Sequence, residues 1–175
     1  MTWQDYLASI DDSHQMTTAR EHIAELCRLV EGRELRILEL GSHAGISTAA
    51  LAIAAPESTI VSVDLCDTIP EETRVEYWSL LGIENIQPVT DDAGRFLRRS
   101  QLGLDDWDLI FHDAVHGEAA WHEYLTASGI CRMLAIHDWE QLGETSRESV
   151  RSRFANWQES MDDRGRFLFL GFHHE

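Results

Sequence analysis

Residues 36–48 constrain the fold of this chain more than any other part of the sequence. An apolar run with the character of a β-strand ends at Leu40, and two glycines, Gly41 and Gly45, follow it four residues apart. An alanine-rich stretch of helical character then continues through Ala55. The pattern predicts a strand, a tight turn and a helix. Such a turn presents backbone N–H groups and the positive end of a helix dipole, so it favours a carboxylate or a phosphate as ligand.

The spacing of these glycines argues against a dinucleotide site. Folds that bind NAD use the pattern G-x-G-x-x-G, in which the second glycine lets the pyrophosphate approach the backbone. Here His43 stands at the position of that second glycine. The chain also lacks the Tyr-x-x-x-Lys pair of some NAD-dependent oxidoreductases, because it contains no lysine. An NAD-dependent oxidoreductase is therefore a disfavoured alternative.

The segment 39–47, which reads E-L-G-S-H-A-G-I-S, resembles the first motif of the class I S-adenosylmethionine (SAM)-dependent methyltransferases. The form is that of small-molecule, metal-dependent O-methyltransferases of the catechol and macrolide-sugar type. The resemblance implies an α/β fold with a doubly wound, mainly parallel sheet, the Rossmann-like methyltransferase fold. It implies SAM-binding positions at Glu39, Gly41, Ser42, Gly45 and Ser47. In that family the serine after the second glycine helps to hold the methionine carboxylate, a role that would fall to Ser47.

Length and composition predict a single domain. The chain has 175 residues, of which 43% are hydrophobic, which is enough for one full core and too little for two domains of ordinary size. We expect N-terminal helices in residues 1–31 and an α/β core in residues 35–172. No apolar run approaches the length of a membrane span, and acids at Asp5, Asp11 and Asp12 do not suit a signal peptide, so we expect a cytoplasmic protein.

Charge and residue usage exclude several functions. The formal net charge of −17 would repel nucleic acid and anionic lipid, so neither is an expected partner. All the basic residues are arginine, which removes Schiff-base and pyridoxal phosphate chemistry. Cys27, Cys66 and Cys131 are far apart and lie among apolar residues, so we interpret all three as buried thiols.

Two further carboxylates are candidates for binding the nucleoside part of SAM. Asp64 ends a predicted buried strand a little over twenty residues after Gly41, where nucleoside-binding α/β folds place an acid for the ribose hydroxyls. Asp92 follows the third predicted strand. By the resemblance, an acid there bonds the exocyclic amine of adenine, although Asp91 or Asp92 could equally cap the helix that follows.

The ends of the fourth and fifth predicted strands bring acids and imidazoles to the same edge. Asp113 ends one strand, with His116 three residues later, and His137 and Asp138 end the next. The resemblance implies that Asp113, Asp138 and His137 bind a divalent cation, that Asp113 also touches SAM, and that His116 is the general base. Oxygen ligands suit Mg²⁺, whereas an imidazole suits Mn²⁺, Fe²⁺ or Zn²⁺ better. His137 could instead orient the substrate.

The C-terminal part predicts a helix and one last strand. Val150, Phe154, Trp157 and Met161 fit one face of a helix, and residues 166–172 form a sixth strand. The seven-stranded methyltransferase sheet would then lack its last antiparallel strand. An uncovered edge strand invites pairing with another chain, so we expect a homodimer or larger homo-oligomer.

Together these features predict SAM-dependent methyl transfer to a hydroxyl oxygen of a small-molecule acceptor, assisted by a divalent metal, with Asp113 and His116 as the catalytic residues. A non-catalytic SAM-binding or metal-binding module is the other alternative, because the chain has no large insertion to cover an acceptor. The sequence does not identify the acceptor.

Overall fold

One mixed β-sheet forms the centre of the molecule. The structure is a computed structural model, and it describes residues 1–10, 18–103 and 106–173. The seven strands are β1 Arg36–Leu40, β2 Thr59–Asp64, β3 Ile86–Thr90, β4 Trp107–His112, β5 Cys131–His137, β6 Asn156–Met161 and β7 Phe167–Phe172. Their order in the sheet is β3-β2-β1-β4-β5-β7-β6, and β7 alone runs antiparallel to the other six strands. The predicted fold class, a doubly wound and mainly parallel α/β sheet, is confirmed.

Helices cover both faces of this sheet. They are α1 Trp3–Ser9, α2 Arg20–Val30, α3 Ile46–Ala54, α4 Glu71–Leu80, α5 Ala93–Gly103, α6 Trp121–Ser128 and α7 Glu144–Arg151. The first four pack in one apolar cluster and the last three in another, on opposite sides of the strands. Successive residues of β1 alternate between the clusters, with Ile37 in the first and Leu38 in the second, as the period of a buried strand requires. None of the helices in the described ranges is long and apolar enough to cross a bilayer.

The C-terminal part differs from the sequence prediction. The helix ends at Arg151, and residues 156–161 form strand β6 instead of continuing it. A turn at residues 162–166 then leads into β7, with Asp162 accepting the N–H groups of Arg164 and Arg166. The expected loss of the last antiparallel strand is therefore wrong, because β7 lies between β5 and β6. An unpartnered sixth strand therefore no longer supports the prediction of a homo-oligomer.

The start of α2 has no side-chain cap among the described residues. The sequence Thr18-Ala-Arg-Glu21 is typical of a capping box, but the helix begins at Arg20 after Ala19. The Thr18 hydroxyl instead donates to Asp113, which follows β4. Residues near the N-terminus thereby reach the carboxyl edge of the sheet, where the parallel strands end and open α/β sheets bind ligands.

Candidate functional site

A pocket of about 300 Å³ opens at the carboxyl edge of the parallel strands. A volume of this size lies at the lower end of the range of small-molecule sites. Every parallel strand except β6 supplies residues to its wall from the segment that follows the strand. The polar and glycine residues of the lining are Gly41, His43, Asp64, Asp67, Asp91, Asp92, Asp113, His116 and Asp138. The pocket thus brings six of the sequence-predicted site residues to one edge of the sheet: Gly41, Asp64, Asp92, Asp113, His116 and Asp138.

The glycine turn after β1 is fixed by two close approaches. Gly41 has a φ of +87°, and a Cβ on it would lie 2.5 Å from the Cα atom of Ala114. Gly45 has a φ of +75°, and a Cβ there would lie 2.7 Å from the ring of Trp78, whose indole N–H donates to the Gly45 carbonyl at 3.0 Å. Both positions therefore require glycine for conformation and for space.

Asp64 holds the turn and the loop after β2 together. Its Oδ2 atom accepts the backbone N–H of His43 at 2.8 Å, and its Oδ1 atom accepts that of Cys66 at 2.7 Å. His43 and Cys66 both have positive φ, at 45° and 57°, so the carboxylate stabilises backbone that these residues rarely adopt. Each carboxylate oxygen has a further lone pair, and Asp64 lines the pocket, so it can also accept ribose hydroxyls.

The two acids after β3 have different tasks. Asp91 is 5% exposed and forms ion pairs with Arg95 and Arg99. Asp92 caps α5, because its Oδ1 atom accepts the backbone N–H of Arg95 at 2.8 Å. Asp92 also lines the pocket, so the capping role leaves its other oxygen available to a ligand.

Glu39 and Ser47 lie beneath the turn and outside the pocket lining. Glu39 is completely buried, and its two oxygens accept the hydroxyls of Ser47, at 2.5 Å, and Thr48. Burial raises the pKa of the Glu39 carboxyl to about 7, although these two hydrogen bonds oppose the shift. The Ser47 hydroxyl is thus engaged with Glu39, and the predicted contact of Ser47 with a methionine carboxylate stays a prediction.

At the other end of the pocket, Asp113 connects three parts of the chain. Its Oδ2 atom accepts the Thr18 hydroxyl at 2.5 Å, and its Oδ1 atom lies 3.0 Å from Nδ1 of His137. The Asp113 side chain is only 4% exposed. A buried carboxylate with two such partners is held in one orientation, with little freedom to turn.

His116 and Asp138 complete this end. The Nε2 atom of His116 lies 3.9 Å from Asp113 Oδ1 and 3.8 Å from Asp138 Oδ2. The His116 side chain is 30% exposed, so a ligand in the pocket can reach it. Asp138 has a φ of 54°, and its buried Oδ1 atom lies 3.2 Å from Nδ1 of His137. The structure therefore brings the four predicted residues of this cluster together.

His137 is 1% exposed, and its protonation is set by its neighbours. Burial by itself lowers the pKa of this imidazole, but the hydrogen bond and charge of Asp113, with the charge of Asp138, outweigh burial and raise it. The ring of His22 packs edge-on against that of His137, with the centroids 5.4 Å apart. Burial and the nearby His137 lower the pKa of His22. The protonated form is therefore favoured for the imidazole of His137 and disfavoured for that of His22.

The predicted metal site does not have the geometry of a metal centre. Within the described ranges, no group of three or more His, Cys, Asp or Glu side chains is placed to hold an ion. Nδ1 of His137 lies 3.0 Å from Asp113 and 3.2 Å from Asp138, so both carboxylates are on the side of the ring away from Nε2, the nitrogen that is left to bind an ion. Asp113 and Asp138 supply oxygens of the kind that Mg²⁺ prefers. His137 does not fit as their co-ligand in this arrangement.

Three residues near the site were missed in the sequence. Thr18 orients Asp113, His22 packs on His137, and Arg74 of α4 donates from beneath to Ser42 in the glycine turn. Ser42 itself is buried, at 4% exposed. No short motif marks such residues, because each reaches the site through contacts between distant elements.

The prediction of three buried thiols was correct for only two. Cys27 and Cys131 are buried, whereas Cys66 is half-buried in the loop beside Asp64. None of the three is in a disulfide.

Several solved structures with the same fold are described as methyltransferases. Precorrin-6Y C5,15-methyltransferase from Geobacter metallireducens superposes with a TM-score of 0.70 at 9% identity, covering 94% of this chain and 97% of that protein. A protein from Klebsiella pneumoniae assigned as an O-methyltransferase superposes with a TM-score of 0.64 at 19% identity, covering 98% and 90%. A third structure, assigned as a methyltransferase in complex with S-adenosylhomocysteine (SAH), superposes with a TM-score of 0.65 at 11% identity.

The extent of these similarities limits what they show. The alignment with the SAH complex covers 87% of this chain but 48% of the other protein, so the chain spans about half the length of that methyltransferase. No protein-family model matches the sequence, and a search of curated proteins finds no match. At such low identities the likeness shows the fold alone. The chain has the Rossmann-like fold that SAM-dependent methyltransferases share.

Proposed function

We propose that this protein is a SAM-dependent methyltransferase that acts on a hydroxyl oxygen of a small molecule. The observation that carries the proposal is the pocket with two chemically different ends, on a fold shared with methyltransferases. One end has the glycine turn and Asp64, and the other has Asp113, His116 and Asp138. A cofactor that spans the first end would present its methyl group toward the second.

The first end suits the nucleoside of SAM. Each Asp64 oxygen accepts one backbone N–H, from His43 or Cys66, and its second lone pair accepts a hydrogen bond from a ribose hydroxyl. The oxygen of Asp92 that does not cap α5 accepts a hydrogen bond from the exocyclic amine of adenine. The N–H groups of the turn from Gly41 to Gly45 stabilise the anionic end of the cofactor.

The second end suits the activation of an acceptor. His116 is exposed to the pocket and takes the proton from the acceptor hydroxyl as the oxygen attacks the sulfonium methyl. The C–S bond breaks as the C–O bond forms, and SAH leaves. The nearby oxygens of Asp113 and Asp138 stabilise the imidazolium that results, at 3.9 and 3.8 Å from Nε2. Positioning of the two reactants supplies the remaining acceleration.

Divalent-metal assistance stays a prediction. Neither the proton transfer to His116 nor the methyl transfer requires it. Asp113 and Asp138 are the oxygen donors that an ion would use, but His137 does not fit beside them. Calorimetry with Mg²⁺ and Mn²⁺, in the presence and absence of SAH, measures whether an ion binds. Loss of that binding in Asp138→Asn, with SAH affinity retained, would support the metal.

Calorimetric titration of the protein with SAM, SAH and NAD tests the cofactor. We expect SAM and SAH to bind and NAD to fail, and we expect Asp64→Ala to weaken SAH by about 10- to 150-fold, the range for lost hydrogen bonds to a charged group. Asp64→Asn should lose less, because one acceptor oxygen remains. Asp163→Ala, at an exposed turn position, is the matched control and should bind normally. Binding of NAD, or SAH binding that is indifferent to Asp64, would refute the assignment.

Three further expectations from the sequence also remain proposals. They are a small-molecule acceptor, a cytoplasmic location and a homo-oligomeric state. The edge strand β6 carries two exposed apolar side chains, Trp157 at 48% and Met161 at 62%. Such an edge supports association between copies. Sedimentation equilibrium at micromolar concentration measures it, and a monomer throughout would end this part of the proposal.

A further inference from the structure

Arg74 is a buried cation that forms no ion pair with the residues that the structure describes. The residue is 1% exposed, and its Nη2 atom donates to the sulfur of Cys66 at 2.6 Å while Nη1 donates to the hydroxyl of Ser42. Its Nε atom is buried without a hydrogen-bond partner. Within the described ranges it forms no ion pair with a carboxylate, although its charge acts over a longer distance on buried Glu39 and lowers the pKa of that carboxyl, which burial raises. Burying a charge without a counter-charge is costly, so this arrangement requires an explanation.

Arg74 joins the two segments that form the cofactor end of the pocket. Ser42 belongs to the glycine turn, and Cys66 donates its backbone N–H to Asp64. The guanidinium also lies over the ring of Trp78, 5.8 Å from its centroid, and Trp78 donates to the Gly45 carbonyl. The positive charge is therefore placed directly behind the turn.

The pocket in front of that turn is strongly acidic. Its lining includes Asp64, Asp67, Asp91, Asp92, Asp113 and Asp138, and no arginine. Asp91 is neutralised by its ion pairs with Arg95 and Arg99, whereas none of the other five pairs with an arginine in the part of the chain that the structure describes. Asp113 and Asp138 have imidazoles beside them. A negative ligand group entering this pocket needs a compensating positive potential.

We propose that Arg74 is a positioning residue that gives the pocket its affinity for the α-amino acid carboxylate of SAM. It acts through Ser42, whose oxygen it holds, and through its charge behind the turn. The N–H groups of the turn and the start of α3 contact the carboxylate, and Arg74 supplies the full positive charge that they lack. The inference rests on the proposed function, because it names the part of the cofactor that this residue recognises.

Two ligands separate this role from a general structural one. SAH carries the amino acid carboxylate, whereas 5′-methylthioadenosine keeps the nucleoside and lacks the amino acid part. We expect Arg74→Met to weaken SAH by about 10- to 100-fold, as for a lost charge-assisted interaction, and to leave methylthioadenosine within about twofold. Arg74→Lys should recover part of the SAH affinity, because the charge is retained.

Two further variants serve as controls. Ser42→Ala keeps the buried charge and should weaken SAH alone by a smaller factor, so it tests the proposal even if Arg74→Met does not fold. Arg153→Met removes one exposed arginine and should change neither affinity. Equal weakening of both ligands in Arg74→Met, or equal binding of both by the wild type, would overturn the inference and leave the cofactor assignment intact. Failure of the wild type to bind either ligand would overturn both.

Discussion

The buried carboxyl of Glu39 makes the free energy of unfolding depend on pH, and we expect Glu39→Gln to remove this dependence. Its pKa rises from an ordinary 4.5 to about 7 in the folded state, because burial disfavours the charged form. A raised folded-state pKa means that folding takes up a proton between these values. The stabilisation is therefore complete below pH 4.5 and is lost as the pH rises toward 7.

The size of the effect follows from the shift. The difference between about 7 and 4.5 is about 2.5, and each pKa unit corresponds to about 1.4 kcal/mol, so the full loss is about 3.5 kcal/mol. About 2 kcal/mol of this loss of stability falls between pH 5.5 and pH 8.5, because Glu39 ionises in the folded protein over that range. Glu39→Gln keeps the shape and cannot ionise, and its amide oxygen still accepts one of the hydroxyls of Ser47 and Thr48.

Urea unfolding at several pH values between 5.5 and 8.5 measures this difference. We expect the free energy of unfolding of Glu39→Gln to rise relative to wild type by about 2 kcal/mol across that range. Glu57→Gln removes a carboxylate at an exposed position and should show no such change with pH. A wild-type minus Glu39→Gln difference that stays constant with pH would show that Glu39 titrates normally, and the reasoning would be wrong.

Three other substitutions test the rest of the site. Gly41→Ala should lower the free energy of unfolding by about 2–4 kcal/mol, measured in urea, because its Cβ would meet Ala114 at 2.5 Å and its φ is +87°. Thr18→Val should lower turnover by about tenfold with SAH affinity unchanged, since Asp113 loses one fixed partner; unchanged kinetics would contradict this. His116→Ala should lower turnover by about 10²–10⁴-fold at neutral pH and less at high pH, where hydroxide replaces the base. Undiminished activity of that variant, in EDTA as well, would rule out both the base and the metal.

The sequence predicts those parts of the site that form from neighbouring residues. The turn at Gly41 and Gly45 and the acid at Asp64 follow from glycine spacing and from a strand of buried character, and both lie at the pocket. The strand ends at Asp113 and Asp138 follow in the same way. Parallel strands deliver their carboxyl ends to one edge, so local patterns are sufficient to bring these groups together.

The C-terminal part shows where local pattern fails. The spacing of Phe154, Trp157 and Met161 fits a helix, yet Trp157 and Met161 are exposed on an edge strand. The stronger signal was the sequence Asp-Asp-Arg-Gly at residues 162–165, a turn between two strand-forming runs. Arg74 could not be predicted by any pattern, because its partners come from two loops that only the folded sheet brings together.

The two ends of the pocket depend on contacts of very different sequence separation. At the cofactor end, Glu39 bonds Ser47 eight residues away, and Asp64 bonds His43 across 21 residues. At the acceptor end, Asp113 is held by Thr18 across 95 residues. Closing a long loop costs more chain entropy and slows folding. The hydrogen bonds of Glu39 and Asp64 therefore close shorter loops than the bond of Thr18 to Asp113, which forms only when the N-terminal region docks beside the end of the fourth strand.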